Sequence, residues 1–327
     1  MGIKMNLSKY LIVLAFAKAI TSCTSVTKAE DEIASIHLDI ELITFHRDFA
    51  AANEETLPSL KQKFPVFFPE RVPDSVWIAK IKGQDMIHNV LEKAVQEADF
   101  DYDIMERQLE DVMRHVVYYF PEFEPTPVVT VLSDVNYRQK VIPTSNQFLI
   151  SIDTYLGKDH ELYIGINKYQ RENLNIEQLP ADAALAYARL FLPPVMERSL
   201  LDNMVYHGKL HYIQELFAPK ALGDQLFNYT PEKYAFTVEN ESQMWRYFID
   251  NELLYDTDSR LMSRFILPAP FSKFGLEVDQ QTPGGVGRYI GYRMVKSFME
   301  NNQVDLEAMI DLNAEEIFKR SKYKPLQ

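Results

Sequence analysis

The chain has 327 residues, 46% of them apolar, with 34 Lys and Arg against 47 Asp and Glu for a formal net charge of −13. That is enough apolar material for a sizeable core, in one large domain or two closely joined ones. An acidic surface of this size argues against nucleic acid, and against anionic lipid headgroups, as direct partners.

The first segment sets the compartment. Lys4 and Lys9 make a short basic region, residues 10–17 (YLIVLAFA) form an apolar run too short for a stable membrane span, and Ile20-Thr21-Ser22-Cys23 closes it with small residues before a cysteine. The pattern resembles the bacterial lipobox, which implies diacylglycerol on the Cys23 thiol, removal of residues 1–22 as a signal peptide, and acylation of the new amino terminus. Lys18 interrupts the apolar run, and the competing reading is an ordinary secretory signal in which Cys23 is incidental. Cys23 is the only cysteine, so no thiol is left for a disulfide in a chain that leaves the cytoplasm. Removing residues 1–22 takes away Lys4, Lys9 and Lys18 and no acid, which moves the net charge from −13 to −16. Residues 23–34, the acylated cysteine and a polar, charged stretch, read as a flexible tether to the bilayer. Residues 35–327 read as a single globular domain, β-containing to about residue 180 and helical beyond it. The expected location is the cell membrane or outer membrane, on a lipid anchor outside the cytoplasm.

Within the domain, residues 36–43 (IHLDIELI) alternate apolar and polar up to Leu42, which predicts a half-buried strand. Apolar residues three and four apart predict helices over 76–97 and 103–119, with Pro121 stopping the second. Residues 125–137, 146–157 and 160–169 are short β-branched and aromatic runs broken by polar turns, and read as strands. Beyond Pro180 the pattern is helical almost to the end. Thr230-Pro231-Glu232 marks one helix start, and Pro283-Gly284-Gly285 precedes the apolar stripe Tyr289, Ile290, Met294, Val295 and Phe298 of another. The sum is an α+β chain, mainly helical, with a small β-sheet framed by many helices.

The stretches NQFLISIDTYLGKDHELYIGINKY, MVYHGKLHYIQELF, YTPEKYAFTVENESQMWRYFIDNELLY, RFILPAPFSKF, TPGGVGRYIGYRMVKSFMENN and EEIFKRSKYKP, taken in order, resemble the GldB family of gliding-motility lipoproteins of Bacteroidetes. The resemblance covers nearly the whole chain after the lipobox. It implies a membrane-anchored accessory of the gliding machinery and its linked type IX secretion system, with envelope motility or secretion proteins as partners. It supplies a process and no reaction.

That family is in turn distantly similar to predicted zinc peptidases carrying His-Glu-x-x-His on a helix, which implies a zincin-like scaffold. Here His207 and His211 fall on the two histidine positions, four apart and so on one helix face, while Gly208 stands where the peptidases have the glutamate that takes the proton from zinc-bound water. Glu215 lies about 12 Å along the helix axis from His207, too far to replace it. Gly208 itself costs roughly 1 kcal/mol in a helix interior, which close packing would offset. A third zinc ligand would be Glu241, about thirty residues after His211, with Glu239 in reserve. Against this stands the structural reading, in which both histidines are partly buried, hydrogen-bonded helix residues and Glu241 is a surface acid or cap. No cofactor is therefore expected, and no catalytic residue is assigned; the alternative is a zinc-dependent peptidase or other hydrolase using His207 and His211.

Weaker candidates read as structure. Asp134, Asp153 and Asp159 fall at predicted strand ends, where aspartate serves turns. Phe64–Pro69 and Tyr118–Pro121 read as core plugs at helix ends. Pro283–Gly287 lacks the preceding strand and Lys-Ser/Thr of a P-loop, so it reads as helix entry. Gly287 and Gly291, four apart, flatten a strip that should pack on the helix bearing His207, leaving Arg288 and Arg293 for ion pairs.

Overall fold

The computed structural model describes residues 28–195 and 198–325. Cys23 and the signal segment lie outside the described residues. Four strands form one mixed sheet: β1 (Leu42–Ile43), β2 (Val128–Val131), β3 (Val141–Pro143) and β4 (Phe148–Ser151), in the order β1-β2-β4-β3. β1, β2 and β4 run parallel, with Leu42 opposite Val128 and Val128 opposite Phe148, and β3 closes the edge as an antiparallel hairpin partner of β4. Val128, Phe148 and Ile150 are fully buried, as expected where a short sheet is covered by helices.

The principal helices are α1 (Met86–Glu97), α2 (Tyr102–Tyr119), α3 (Leu179–Phe191), α4 (Leu200–Phe217), α5 (Pro231–Glu239), α6 (Glu241–Asp250), α7 (Val286–Asn301) and α8 (Ala314–Ser321). No helix among the described residues is long and apolar enough to cross a membrane. The observed class is the expected one, a mainly helical α+β fold with a small sheet. Several starts follow the sequence signals closely. Thr230 caps α5 by accepting from Lys233 N at 3.3 Å, with Pro231 in the first turn. Ser199 and Asp202 form a capping box on α4, with Asp202 N to Ser199 Oγ at 3.1 Å and Ser199 N to Asp202 Oδ2 at 2.8 Å. Gly285 caps α7 at φ 74°, a left-handed turn that glycine takes without strain.

Four expectations are corrected. The run 36–43 alternates in burial as read, but only Leu42–Ile43 finds a ladder partner. The helix expected over 76–97 is two, Asp74–Ile81 and Met86–Glu97, parted at Gly83 with φ 69°. Residues 160–169 are not a strand. His160 Nδ1 accepts from Leu162 N and starts a 3₁₀ turn, and the buried Tyr163 hydroxyl donates to Asp153 O at 2.7 Å, so local capping and one tertiary bond outweigh β propensity. Residues 28–34, expected in the tether, are helical, and Ile33 is only 3% exposed.

One extended core joins the sheet to α2, α3, α4 and α7. A smaller one, Phe49, Leu57, Phe64 and Phe68, packs Phe45 and Trp77 around it, so the Phe64–Pro69 run is a core plug as read. At the centre α4 crosses α7. A Cβ on Gly208 would lie 2.3 Å from Gly291 C and O, and one on Gly291 would lie 1.7 Å from Met204 O, so the two backbones touch where both side chains are absent. Gly287 extends the strip against Phe265 O and Met204 Cγ. The helix-penalising Gly208 is thus explained by contact with α7. The buried Lys209 ties α4 to the carboxy-terminal segment by donating to Ile310 O at 2.7 Å and Leu312 O at 2.6 Å.

Candidate functional site

α4 carries His207 and His211 on one face, as their spacing requires. His211 is 3% exposed, and its Nδ1 lies 2.8 Å from Gln214 Oε1, whose amide in turn donates to Ala181 O. His207 is partly buried and meets Tyr206 edge to face. Burial first, and the Arg288 guanidinium second, lower both imidazoles to about 3, so both are neutral at physiological pH.

Glu241, the expected third ligand, is fully buried at the first turn of α6. Its Oε2 accepts from the Tyr289 hydroxyl at 2.8 Å and lies 3.2 Å from Arg293 Nε, and its Oε1 accepts from the Tyr323 hydroxyl at 2.8 Å. The network clamps α6, α7 and the carboxy-terminal segment together. Glu239 is exposed. Among the described residues no group of three His, Cys, Asp or Glu converges as ligands of one ion. The two histidines are brought together, therefore, and Glu241 is not brought to them. The donor set does not fit zinc: a carboxylate already engaged by a cation and two hydroxyls, and two imidazoles under the field of the partly buried Arg288, are poor hosts for a further dication. Glu215 is paired with Lys296 at 2.8 Å.

Of the aspartates, Asp153 is fully buried and serves a turn. Its carboxylate accepts from Val135 N at 2.7 Å and from Ser133 N and Oγ at 3.1 Å, fixing the loop after β2. Arg293 makes the ion pair expected of it; Arg288 does not. Arg288 Nε donates to Ile266 O at 2.5 Å, and no carboxylate among the described residues pairs with it. Burial, together with the neighbouring Arg189 cation, lowers its guanidinium to about 10.

Arg288 lies in a cleft that sequence reasoning missed. The cleft measures about 930 Å³ and is walled by the loops 137–141, 158–174 and 268–270, the start of α5 and the first turn of α7. Seven Lys or Arg and three Asp or Glu line it, the reverse of the chain as a whole. Its cations come from five separate segments, so no local motif announces them. The one available signal was Arg138-Gln139-Lys140, a basic patch in an acidic chain.

The family model for gliding motility protein GldB matches residues 26–325. No curated protein and no solved structure matches the chain.

Proposed function

The chain belongs to the gliding motility protein GldB family, and from that premise we propose that it is an envelope lipoprotein, anchored through acylated Cys23, that serves gliding and the linked type IX secretion machinery as a non-catalytic accessory binding envelope partners. What supports the absence of catalysis is Gly208. The position that would need a glutamate is filled by the backbone of α7, since even a Cβ there would fall 2.3 Å from Gly291. A proton-accepting carboxylate cannot be placed beside His207 without parting the two central helices. The histidines then serve α4 as neutral, packed side chains.

The test is the double variant His207→Ala, His211→Ala in the native strain. Gliding is expected to persist with the protein at normal abundance. A folded, abundant double variant that cannot glide would return the zinc-hydrolase reading, and stoichiometric zinc in the purified lipoprotein would support it further. For the anchor, Cys23→Ser is expected to abolish labelling by a fatty-acid probe and partition into detergent. Labelling at the wild-type level would overturn the lipid assignment.

A further inference from the structure

We infer that the cleft at the first turn of α7 is a binding site for an organic phosphate, with Arg288 and Arg189 as the groups that hold its phosphoryl oxygens. This inference does not depend on the absence of catalysis proposed above. Part of the cleft's charge is internally satisfied: Lys140 pairs with Asp182, and Lys158 and Lys168 approach Glu172 at 3.6 and 3.8 Å. Arg288 has no such acid, and Asp182, the carboxylate that acts on Arg189, is already paired with Lys140. With Arg288 Nε committed to Ile266 O, its two Nη groups retain their donors, in the planar fork that suits a phosphoryl or carboxylate group. Two unpaired guanidiniums that repel one another cost stability, and an anion between them removes that cost.

Three further features select the class of anion. The surplus of cations calls for a ligand with two or more charges, which a phosphate monoester or diphosphate carries and a single carboxylate does not. The positive end of α7, a helix of 16 residues, lies at the same wall through Pro283 and Gly284 and favours an anion there. The volume exceeds what phosphate alone fills and lies in the range of small-molecule sites, and Tyr137, Tyr169 and Tyr229 offer rings for an organic body. The cleft's surplus of cations focuses anions onto itself, against the repulsion of the acidic remainder of the chain. A soluble organic phosphate and a phospholipid headgroup share this chemistry.

The experiment titrates inorganic pyrophosphate, as a compact probe, into the full-length lipoprotein in non-ionic detergent by isothermal calorimetry. One-to-one binding that weakens as salt is raised is expected. Arg288→Gln and Arg189→Gln should each weaken it about tenfold or more, the loss expected of a charge-assisted pair, and Lys93→Gln, on the exposed face of α1, should leave it unchanged. Arg189 is exposed and unpaired, so Arg189→Gln should leave the melting temperature of the ligand-free protein at or above wild type; a purely structural arginine would lower it. It also keeps the test open if Arg288→Gln does not fold. Reconstitution into vesicles of phosphatidylcholine alone, or mixed with phosphatidylglycerol, separates the two sources. A headgroup that occupies the cleft lowers the apparent pyrophosphate affinity in the mixed vesicles, and a soluble ligand leaves it unaltered. Wild-type binding weaker than about 1 mM, or affinity indifferent to loss of the arginines, overturns the assignment.

Discussion

Arg288 and Arg293 stand five residues apart on α7, and their surroundings differ in kind. Arg293 faces Glu241, whose two oxygens are also claimed by Tyr289 and Tyr323. Arg288 faces an open cleft and a second arginine. Between them the helix is pressed bare against α4 at Gly291. One helix thus supplies a closed electrostatic clamp, a dry crossing and an unsatisfied cation. A buried charge with its partners in place belongs to the architecture; Arg288, with one carbonyl and no carboxylate, recovers only part of its desolvation within the fold, and an anion from outside the chain would supply the rest. The identity of the side chain does not distinguish the two roles. Its neighbours do.

Breaking the clamp should have the largest effect. Glu241→Ala leaves Arg293 without its carboxylate and two tyrosine hydroxyls without an acceptor, at a cost of about 3–5 kcal/mol. The loss should appear as a lowered urea midpoint and reduced abundance in the envelope. Glu241→Gln, which keeps acceptor capacity but not the charge, should lose less. A melting curve unmoved by Glu241→Ala would mean that the clamp is no more structural than the cleft, and the contrast would collapse.

The crossing ranks next. Gly208→Glu restores the peptidase pattern in sequence, yet the new side chain must displace the Gly291 backbone. Overpacking of this kind costs on the order of 1–3 kcal/mol, and no peptidase activity is expected from the product. Gly291→Leu should behave alike, with gliding falling in proportion to the amount of protein that survives. Normal melting and abundance combined with lost gliding would make the strip a partner surface. A stable, proteolytically active Gly208→Glu protein would undo the packing account of Gly208.

How much of this was legible depended on whether the signal was local. The glycine strip, the Thr230 cap and the α4–α7 contact are written at spacings of one to four residues, and they appear in the structure where periodicity puts them. The stretch 160–169 has strand-like composition but is decided by a histidine cap and by Tyr163 reaching Asp153, neither visible in composition. β3 is three residues ending in proline, too short to announce itself. Glu241 was singled out as a third zinc ligand or else a surface acid, and what it faces was not readable, since Tyr289 and Tyr323 lie 48 and 82 residues away in sequence. The cleft was hidden for the same reason: each of its cations looks like ordinary surface charge until the loops are assembled.

The smallest expected effect concerns the field that the unpaired arginine casts on the α4 histidines. His207 and His211 are lowered from 6.5 to about 3, by burial first and by Arg288 second. A base whose pKa falls on folding binds fewer protons in the folded than in the unfolded chain at every pH between the two values, so stability is lost as pH drops from 6.5 toward 3 and is fully present above it. For one histidine the slope is at most about 1.4 kcal/mol per pH unit. His46, lowered to about 4 by its own burial, adds to the slope in every variant and cancels on comparison. Urea midpoints between pH 6.5 and 4.5 should therefore fall less steeply in His211→Gln than in wild type. His207→Gln, on a less buried side chain, offers the same comparison should His211→Gln fail to fold. Arg288→Gln should also flatten the profile, since removing the cation lets both imidazoles accept protons more readily in the folded state. If all these profiles run parallel to wild type, the arginine exerts no field on α4, and the cleft and the histidine face are electrostatically independent.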